Sequence, residues 1–376
     1  MKHVFTLTTI LASIFIIAFC IQCKDRACSN SREGKMVIGV KLFDYNGDFN
    51  ELFKELTSLG INTVFIVSEH LVTSKEFYEA AKKNNIAVFV VIQTFMNEAA
   101  VKKDSSLYAI THRGERAIEE WSHFVCPTRK DYRKQRIDYV KNIVQTYNPD
   151  GISIDFIRTF VFWENVYPGT DIVDMPNACF CPHCLEKFQA ATGVTIPGEL
   201  ERTEDIARWI LDNHGDVFTN WKCGVITSMV EEMTAAVKSV KSDIVINLHT
   251  VPWRKDDYNG AIRKIAGQDF KDLSGYTNYL SPMCYSNLLR LRPAWVDSVI
   301  HDMATDSRCG ILPSIQMKEI NPEKEGLFSV EDFESCLREA LKPPSQGVVL
   351  FIWDWDAFSD AADRKELFKK VVTCRQ

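Results

Sequence analysis

The chain alternates short apolar runs with amphipathic stretches about eight times between residue 36 and its C-terminal end. Runs such as residues 37–40, 87–92 and 348–352 are almost continuously apolar and rich in β-branched side chains. This pattern is typical of strands that are buried on both faces, as in parallel sheets covered by helices. The eight predicted strands are residues 36–43, 62–67, 87–94, 151–157, 244–249, 279–285, 311–316 and 348–353.

The number and order of these units predict an α/β fold, a (β/α)8 TIM barrel with an insertion after the fourth strand. The alternative is a doubly wound open sheet, which would need a glycine-rich phosphate loop after its first strand. Residues 44–48 read Asp-Tyr-Asn-Gly-Asp and contain no such loop. We therefore expect the barrel.

The first 35 residues are expected to lie outside the barrel. A basic start followed by an apolar run that is short for a membrane span indicates an export signal. The predicted organisation is a signal peptide over residues 1–23, a polar tether over 24–35 and the barrel domain over 36–376. The Cys-Lys-Asp junction at Cys23 resembles that of bacterial lipoproteins, although residues 20–22 depart from their small-residue pattern. The resemblance implies a lipid anchor, and export implies the periplasm or the cell surface.

The composition is that of a globular protein, with 46% hydrophobic and 25% charged residues. The formal net charge is −6, and the sequence contains no basic stripe. A protein that binds a phosphate backbone usually carries such a stripe. Nucleic acid is therefore not an expected partner.

Almost every predicted strand ends in a hydrogen-bonding or aromatic side chain. In a (β/α)8 barrel the C-terminal ends of the strands meet at one face, where the active site lies. A purely structural barrel would have fewer such side chains at this face. The candidates for substrate binding are Glu69, Gln93, Arg158, Trp163, His249, Trp253, Tyr285, Gln316 and Trp353.

The segment over residues 150–158 contains the sharpest candidate. Asp155 lies between Ile154 and Phe156 near the end of a buried strand. A carboxylate in such a position must be paired, hydrogen-bonded or used in chemistry. The alternative to a catalytic role is that Asp155 only pairs with Arg158 or with a histidine of the fifth strand.

This segment resembles the fourth strand of several barrel glycosidases, which open with Asp-Gly and carry an Asp near the strand end. In clan-D α-galactosidases the similar Asp is the nucleophile, which implies that role for Asp155. In chitinase-like enzymes the middle Asp supports a Glu two residues further on, and Ile157 occupies that position here. The chain also resembles hypothetical glycosyl-hydrolase-like barrels of carbohydrate-degrading bacteria. That resemblance implies hydrolysis of an oligo- or polysaccharide.

Glycoside cleavage usually uses two carboxyl groups, one protonated and one ionised. With Asp155 as one catalytic residue, the sequence leaves the second open between Asp354, Glu164 and Glu69. Asp354 lies between two tryptophans, whose apolar faces would raise the pKa of its carboxyl group. Sugar rings stack on aromatic side chains. The aromatic residues predicted near this face are Tyr45, Trp121, Trp163, Trp253, Tyr285, Trp353 and Trp355.

A Cys-x-Cys-x-x-Cys motif occupies residues 179–184, and three sulfurs at this spacing can converge on a tetrahedral metal. The fourth ligand would come from Cys126 or Cys223. A Cys-Pro-Thr before the third helix together with this motif resembles the zinc site of glycoside hydrolase family 42 β-galactosidases. That resemblance implies a structural zinc on Cys126, Cys179, Cys181 and Cys184. The alternative is two disulfide bonds, which export would permit. No organic cofactor is implied.

The hydrolase has two rivals, a non-catalytic glycan-binding barrel and a different carbohydrate enzyme, such as a deacetylase or lyase. A surface glycan-binding barrel without catalysis would keep the aromatic residues and need no second carboxyl group. A metal-dependent deacetylase would need His and Asp ligands at the strand ends, where only His70 and His249 are available. The hydrolase is therefore the main expectation, and the glycan-binding barrel is the alternative.

Overall fold

The computed structural model describes residues 36–352 and 360–374. The predicted signal peptide, the tether with Cys23, and the candidates Trp353, Asp354 and Trp355 lie outside the described residues. In the two described ranges, no helix is both long enough and apolar enough to cross a membrane.

A parallel sheet of nine strands forms the centre of the fold, and a short antiparallel hairpin accompanies it. In the described ranges the strands are β1 (Val37–Leu42), β2 (Thr63–Ile66), β3 (Ala87–Gln93), β4 (Ile118–Glu119), β5 (Ser122–His123), β6 (Gly151–Asp155), β7 (Val245–Thr250), β8 (Tyr279–Pro282), β9 (Gly310–Ile311), β10 (Ser314–Gln316) and β11 (Gly347–Phe351). The order in the sheet is β10-β11-β1-β2-β3-β6-β7-β8-β9, and β4 pairs with β5.

Helices connect successive strands, as parallel pairing requires. They are α1 (Phe49–Ser58), α2 (Glu69–Thr73), α3 (Lys75–Lys83), α4 (Glu98–Lys103), α5 (Lys130–Tyr147), α6 (Pro182–Thr192), α7 (Thr203–Lys238), α8 (Ala261–Lys264), α9 (Phe270–Leu273), α10 (Ala294–Asp306), α11 (Pro322–Glu325), α12 (Val330–Ala340) and α13 (Ala361–Thr373). Local signals set several boundaries. The α3 helix begins after Ser74, whose hydroxyl accepts a hydrogen bond from the N–H of Phe77, and α5 ends at Asn148 in the left-handed region.

The predicted seventh strand is divided in the structure. Leu312 and Pro313 separate β9 from β10, and Pro313 lacks the N–H that a continuous ladder would use. β9 pairs with β8 at one edge of the sheet, and β10 pairs with β11 at the other. Because only two residues link the two edge strands, the sheet must curl until its edges approach each other. The protein is thus a mixed α/β fold around a curled, half-barrel-like parallel sheet.

Successive side chains of a strand point to opposite faces of the sheet, and this alternation separates two apolar clusters. Ile152 and Ile154 of β6 belong to the large cluster that also contains side chains of the helices. Phe65 and Phe89 belong to a smaller cluster made almost entirely of strand residues, with ring centroids 5.0 Å apart. A Cβ on Gly151 would lie 2.7 Å from the Phe89 ring. Gly151 therefore leaves the space that the phenylalanine fills.

The connection between β3 and α5 carries more structure than the sequence analysis assigned to it. It contains α4 and the β4-β5 hairpin, whose tip includes Glu120 and Trp121. The connection after β6 contains α6 and the 36-residue α7, which is kinked at His214. These connections bring loop residues to the site described below.

Candidate functional site

A pocket of about 470 Å³ lies at the carboxyl ends of the strands. Its floor comes from strand residues. Its sides come from the tip of the β4-β5 hairpin, from loop residues after β6 and β8, and from residues in and around α11. The strand and strand-end residues that matter most for its chemistry are Lys41, Gln93, Asp155, Tyr285 and Phe351. Gln93 and Asp155 are directly paired in the ladder between β3 and β6. Strand pairing thus places side chains from distant parts of the sequence in one pocket.

The floor of the pocket contains a buried ion pair. Lys41 Nζ lies 3.1 Å from Asp155 Oδ2, and the two side chains are 4% and 5% exposed. Asp155 Oδ1 accepts a hydrogen bond of 2.7 Å from the N–H of Phe156. Both carboxylate oxygens therefore have a partner, although Asp155 also lines the pocket.

The electrostatic surroundings keep Asp155 ionised. Burial, the largest single effect, raises its pKa, but the charges of Lys41, His249 and Arg158 and the hydrogen bond from Lys41 together outweigh it. The net result is a pKa well below the usual range of an aspartic acid. Asp155 is thus a carboxylate at any pH near neutrality.

The pKa of Glu164 is shifted in the opposite direction, upward. The residue follows β6 in a short 3-10 turn, Trp163–Asn165, and lines the same pocket. Burial raises its pKa to about 7, against the opposing effect of the positive charge of Arg158. Its Oε2 is buried and has no hydrogen-bond partner among the described residues. Glu164 therefore holds a proton that it can donate near neutral pH.

Arg158 interacts electrostatically with both carboxyl groups. Burial lowers the pKa of its guanidinium group, and the negative charges of Glu164 and Asp155 oppose this effect. Its guanidinium group is 4.9 Å from the ring centroid of Phe156 and 5.2 Å from that of Phe124. The residue is 2% exposed and does not line the pocket. Arg158 thus acts on the carboxyl groups through its charge from beneath the pocket surface.

His249 and Tyr285 complete the buried polar group around Asp155. Burial and the nearby Lys41 charge lower the pKa of His249 to about 3, so its imidazole is neutral. Tyr285 lines the pocket and stacks on Phe351 with ring centroids 4.7 Å apart. Burial raises the pKa of Tyr285, and the charges of Asp155 and Glu164 add to this effect. Its hydroxyl therefore stays protonated.

Trp121, like Phe43, is an exposed aromatic side chain of the pocket. It is 50% exposed and packs edge-on against Phe156 and Phe162, with centroid distances of 6.0 and 5.4 Å. Lys324 Nζ lies 3.1 Å from Glu120 Oε1 next to it. This ion pair joins the β4-β5 hairpin to α11 at the rim of the pocket.

Several sequence candidates lie elsewhere. Trp163 is fully buried and packs against Tyr285, with ring centroids 5.7 Å apart, and it does not line the pocket. Gln316 is 1% exposed, and its side chain bonds to the N–H of Leu288 and to Glu325. Trp253 lines a different pocket, described below.

Glu69 is exposed and accepts a hydrogen bond of 3.1 Å from the hydroxyl of Tyr139. It does not contribute to the pocket lining, so the structure brings Glu164, and not Glu69, into the pocket with Asp155. Sequence reasoning did not assign Glu120 or Lys324 to the site. Glu120 lies at the tip of the β4-β5 hairpin and Lys324 in the short helix α11, and no strand-end position signals either of them.

The four cysteines of the predicted metal site lie together. The Sγ atoms of Cys126, Cys179, Cys181 and Cys184 are all within 4.8 Å of one another, and all four residues are buried. Cys126 Sγ is 3.4 Å from Cys184 Sγ and 3.5 Å from Cys181 Sγ. These distances exceed the bond of about 2.05 Å in a disulfide, and the four residues are free cysteines. The cluster could hold a metal ion.

The local chain direction explains this convergence. Cys181 caps the start of α6, where its Sγ accepts a hydrogen bond of 3.4 Å from the N–H of Cys184. Pro182 occupies the first helical turn, as is common at helix starts. The helical turn thereby places two sulfurs of the motif on one side, facing Cys126 in the loop before α5.

Several solved structures with similar folds are glycoside hydrolases. The glycoside hydrolase domain of PgaB (BpsB) from Bordetella bronchiseptica has a TM-score of 0.65 and 12% identity, covering 89% of this chain and 99% of that chain. A β-galactosidase from the psychrophilic Marinomonas ef1 has a TM-score of 0.68 and 11% identity, covering 90% of this chain and 59% of that one. The α-L-fucosidase isoenzyme 2 from Paenibacillus thiaminolyticus has a TM-score of 0.56 and 13% identity, covering 90% of this chain and 49% of that one.

No protein-family profile matches the sequence, and no curated protein matches it significantly. Identities of 11 to 13% to the three solved structures are informative about the fold alone. The chain therefore has a glycoside-hydrolase-like fold. Its chemistry must be argued from its own residues.

Proposed function

We propose that this protein is a glycoside hydrolase that cleaves an oligo- or polysaccharide with Asp155 and Glu164 as its two carboxyl groups. The proposal rests on one observation: these two residues line the same pocket, and their surroundings shift their pKa values in opposite directions. The pKa of Asp155 is lowered below its usual range, and that of Glu164 is raised to about 7. Two carboxyl groups whose environments separate their pKa values in this way can serve as acid and base.

The roles follow from the protonation states. Glu164, protonated up to about pH 7, would donate its proton to the oxygen of the leaving sugar. As the glycosidic C–O bond breaks, Asp155, ionised, would stabilise the positive charge that develops on the sugar ring or form a bond to it. A water molecule would then add to the same ring carbon and return a proton to Glu164, which releases the sugar and restores both carboxyl groups. Lys41 would keep Asp155 ionised between turnovers, and Trp121 at the rim offers a face on which a sugar ring can stack.

The experiment uses p-nitrophenyl glycosides, including β-D-galactosides and α-L-fucosides, together with a reducing-end assay on polysaccharides. On any substrate that the wild-type protein cleaves, we expect Glu164→Gln and Asp155→Asn each to lower kcat by at least about 100-fold. Binding of the uncleaved substrate should be retained. Glu79→Gln, on the exposed face of α3, is the matched control and should leave kcat unchanged.

One observation favours a second candidate, a glycan-binding protein without catalysis. Both oxygens of Asp155 already have a partner, Lys41 Nζ and the N–H of Phe156. A protein of this kind would bind glycans in the pocket and cleave none. Glycan binding by the wild-type protein that is unchanged in Asp155→Asn, with no turnover on any substrate of the panel, would favour this candidate.

We infer further that the sheet closes as an eight-stranded barrel, with β9 and β10 as the two halves of one strand. The N–H of Leu312 donates to Leu280 O in β8 over 2.8 Å. Pro313 O accepts a hydrogen bond of 2.9 Å from the N–H of Val349 in β11. Leu312 and Pro313 thus form hydrogen bonds to β8 on one side and to β11 on the other, which supports closure of the barrel.

We also infer that the four-cysteine cluster holds a structural zinc ion. Four thiolates are a common donor set for zinc and leave no coordination position for water. In a tetrahedral site with Zn–S distances of about 2.3 Å, the sulfurs lie about 3.8 Å apart. The Sγ distances of 3.4 and 3.5 Å around Cys126 need only small adjustment to reach this geometry.

Export through the signal over residues 1–23, with a lipid anchor at Cys23, remains part of the proposal. It would place the enzyme in the periplasm or at the cell surface, where the enzyme would encounter polysaccharides. Fractionation of cells that produce the wild-type protein and Cys23→Ser tests the anchor. The wild-type protein should be found with membranes and the variant in the soluble fraction.

A further inference from the structure

A second pocket, of about 380 Å³, lies beside the first and has no role in the chemistry proposed above. We call it the aromatic pocket. Its lining includes three aromatic side chains and one ion pair, namely Trp253, Tyr258 and Trp295 with Arg254 and Asp257. None of these five residues lines the first pocket.

The two pockets are lined by the same two segments of chain. Glu164 lines the first pocket, whereas residues 168–170, a few positions further on, line the aromatic pocket. In the second segment, Leu288 lines the first pocket and Leu289 lines the aromatic pocket. Neighbouring residues of the same two segments therefore line both pockets.

Contacts fix these segments to each other. The guanidinium group of Arg290 lies 4.5 Å from the ring centroid of Tyr167, which joins the two segments between the pockets. Tyr258 Oη donates to Val166 O over 3.5 Å, which joins the aromatic pocket to the segment that carries Glu164. The spacing between the pockets is thus held by the fold.

Trp253, which lines the aromatic pocket, carries a buried donor without a partner among the described residues. Trp253 is 2% exposed, and its indole N–H has no hydrogen-bond partner in the described part of the chain. Leaving such a group unsatisfied costs about 1–3 kcal/mol. A ligand hydroxyl that reached this N–H after a small shift of its neighbours would satisfy it, because a hydroxyl oxygen accepts from an indole N–H.

The rest of the aromatic pocket suits a ring that is apolar on its faces and polar at its edge. Trp295 and Tyr258 are half-buried, so part of each side chain remains accessible. Arg254 Nη2 donates to Asp257 Oδ1 over 2.8 Å, and Nε donates to the same carboxylate over 3.1 Å. A partly exposed guanidinium-carboxylate pair of this kind presents both donors and acceptors to hydroxyl groups.

The backbone beside this pair adopts an uncommon conformation. Tyr258 has a φ of 49° and Asn259 a φ of 56°, both in the left-handed region. Non-glycine residues in this region are uncommon, and they concentrate at ligand-binding and functional sites. Here the conformation places the Tyr258 ring against Trp253, with ring centroids 5.3 Å apart.

We propose that the aromatic pocket is a distal subsite that binds a further pyranose ring of the same carbohydrate chain. This inference rests on the proposed function of the first pocket and narrows its substrate to an oligo- or polysaccharide long enough to span both pockets. A monosaccharide glycoside would occupy the first pocket alone.

The test is binding to a microarray of defined oligosaccharides graded by chain length, measured in the Glu164→Gln background so that the probes stay intact. Trp295→Ala should weaken binding of the longer members of a bound series about tenfold and leave the shortest member unchanged. Trp295→Phe should retain most of the binding of the longer members. Trp209→Ala is the matched control, because Trp209 is also half-buried but packs against His214 in α7, away from both pockets.

Each outcome decides the inference. Equal loss on short and long glycans, or no loss on either, would overturn the distal subsite while leaving the proposed hydrolase intact. Length-dependent loss together with full turnover in Glu164→Gln would support the subsite and remove the proposed mechanism. A protein that binds no glycan on the array would overturn both proposals.

Discussion

Lys41 at the end of β1 and Asp155 at the end of β6 form an ion pair of 3.1 Å. Two strands, β2 and β3, lie between β1 and β6 in the sheet. Neighbouring strands are about 4.8 Å apart, so a flat sheet would separate β1 from β6 by about 14 Å. The ion pair therefore forms across the concave face of a curled sheet, and the curl creates the site.

Removing the ammonium group should destabilise the fold through this pair. Lys41→Met leaves the carboxylate of Asp155 buried without its main partner, which typically costs about 3–5 kcal/mol. Equilibrium unfolding in urea at pH 7 measures the effect. Lys54→Met, which breaks the exposed pair with Glu51, is the control and should change stability little. Equal stability of Lys41→Met and the wild-type protein would contradict the importance given to the pair.

Activity should depend on pH through Glu164. With its pKa at about 7, the proton needed by the leaving group is lost as the pH rises through 7, so kcat should fall there. On the acid side the rate should stay level down to about pH 4, because the pKa of Asp155 lies below its usual value. A pH-rate profile checks both limbs. A rate that increases from pH 7 to 9 would exclude Glu164 as the acid.

The same shift makes stability depend on pH. The pKa of Glu164 is raised in the folded state from an ordinary value of 4.5, so the folded protein holds this proton more tightly than the unfolded chain does. Its contribution is therefore full below about pH 4.5 and is lost as the pH rises through about 7. Unfolding of the wild-type protein and Glu164→Gln at pH 5 and pH 8 tests the sign. The wild-type protein should lose stability relative to the variant at the higher pH.

The cysteine cluster should bind one zinc ion per chain. Elemental analysis of the purified protein measures the metal content, and thermal unfolding with and without a strong chelator measures its effect. Cys184→Ser should lose the metal and lower Tm, because metal binding and folding are coupled. Cys374→Ser is the control, since Cys374 is exposed and lies outside the cluster. Metal-free wild-type protein whose Tm is insensitive to chelator would rule out a structural zinc.

Gly151 should tolerate no side chain. A Cβ there would lie 2.7 Å from three atoms of the Phe89 ring, so we expect Gly151→Ala to cost about 1–3 kcal/mol. Gly224 lies in α7 with no atom near a Cβ position, and Gly224→Ala should stabilise the protein by about 0.5–1 kcal/mol. Chemical denaturation of both variants provides the comparison. The two substitutions should have opposite signs.

Local sequence patterns predicted most of the elements. Apolar runs located the strands to within one or two residues where they are regular, as for β3, which was expected over residues 87–94 and forms over Ala87–Gln93. The seventh strand was predicted as continuous, but it is divided at Pro313. Apolar periodicity does not register the missing N–H of a proline, and this explains the difference.

The choice among candidate carboxyl groups did not follow from the sequence. Glu69 and Glu164 both follow predicted strands, yet Glu69 is exposed beside Tyr139 and Glu164 lines the pocket with Asp155. Similarly, Trp163 and Trp253 occupy the expected loops but are buried. The direction of a side chain that follows a strand depends on how its loop folds back, and strand periodicity carries no information about this.

By itself, the sequence determined which residues could form strands, which strand ends carry polar groups, and that residues 179–184 hold three closely spaced thiols, because these properties depend on local spacing and composition. The structure places Cys126, and not Cys223, with those three thiols. The tertiary structure alone decided that Lys41 pairs with Asp155, that Glu164 is desolvated, and that a second pocket lies beside it. These properties depend on the curl of the sheet, since only curling brings side chains from non-adjacent strands and loops within a few ångströms of each other and removes water from between them.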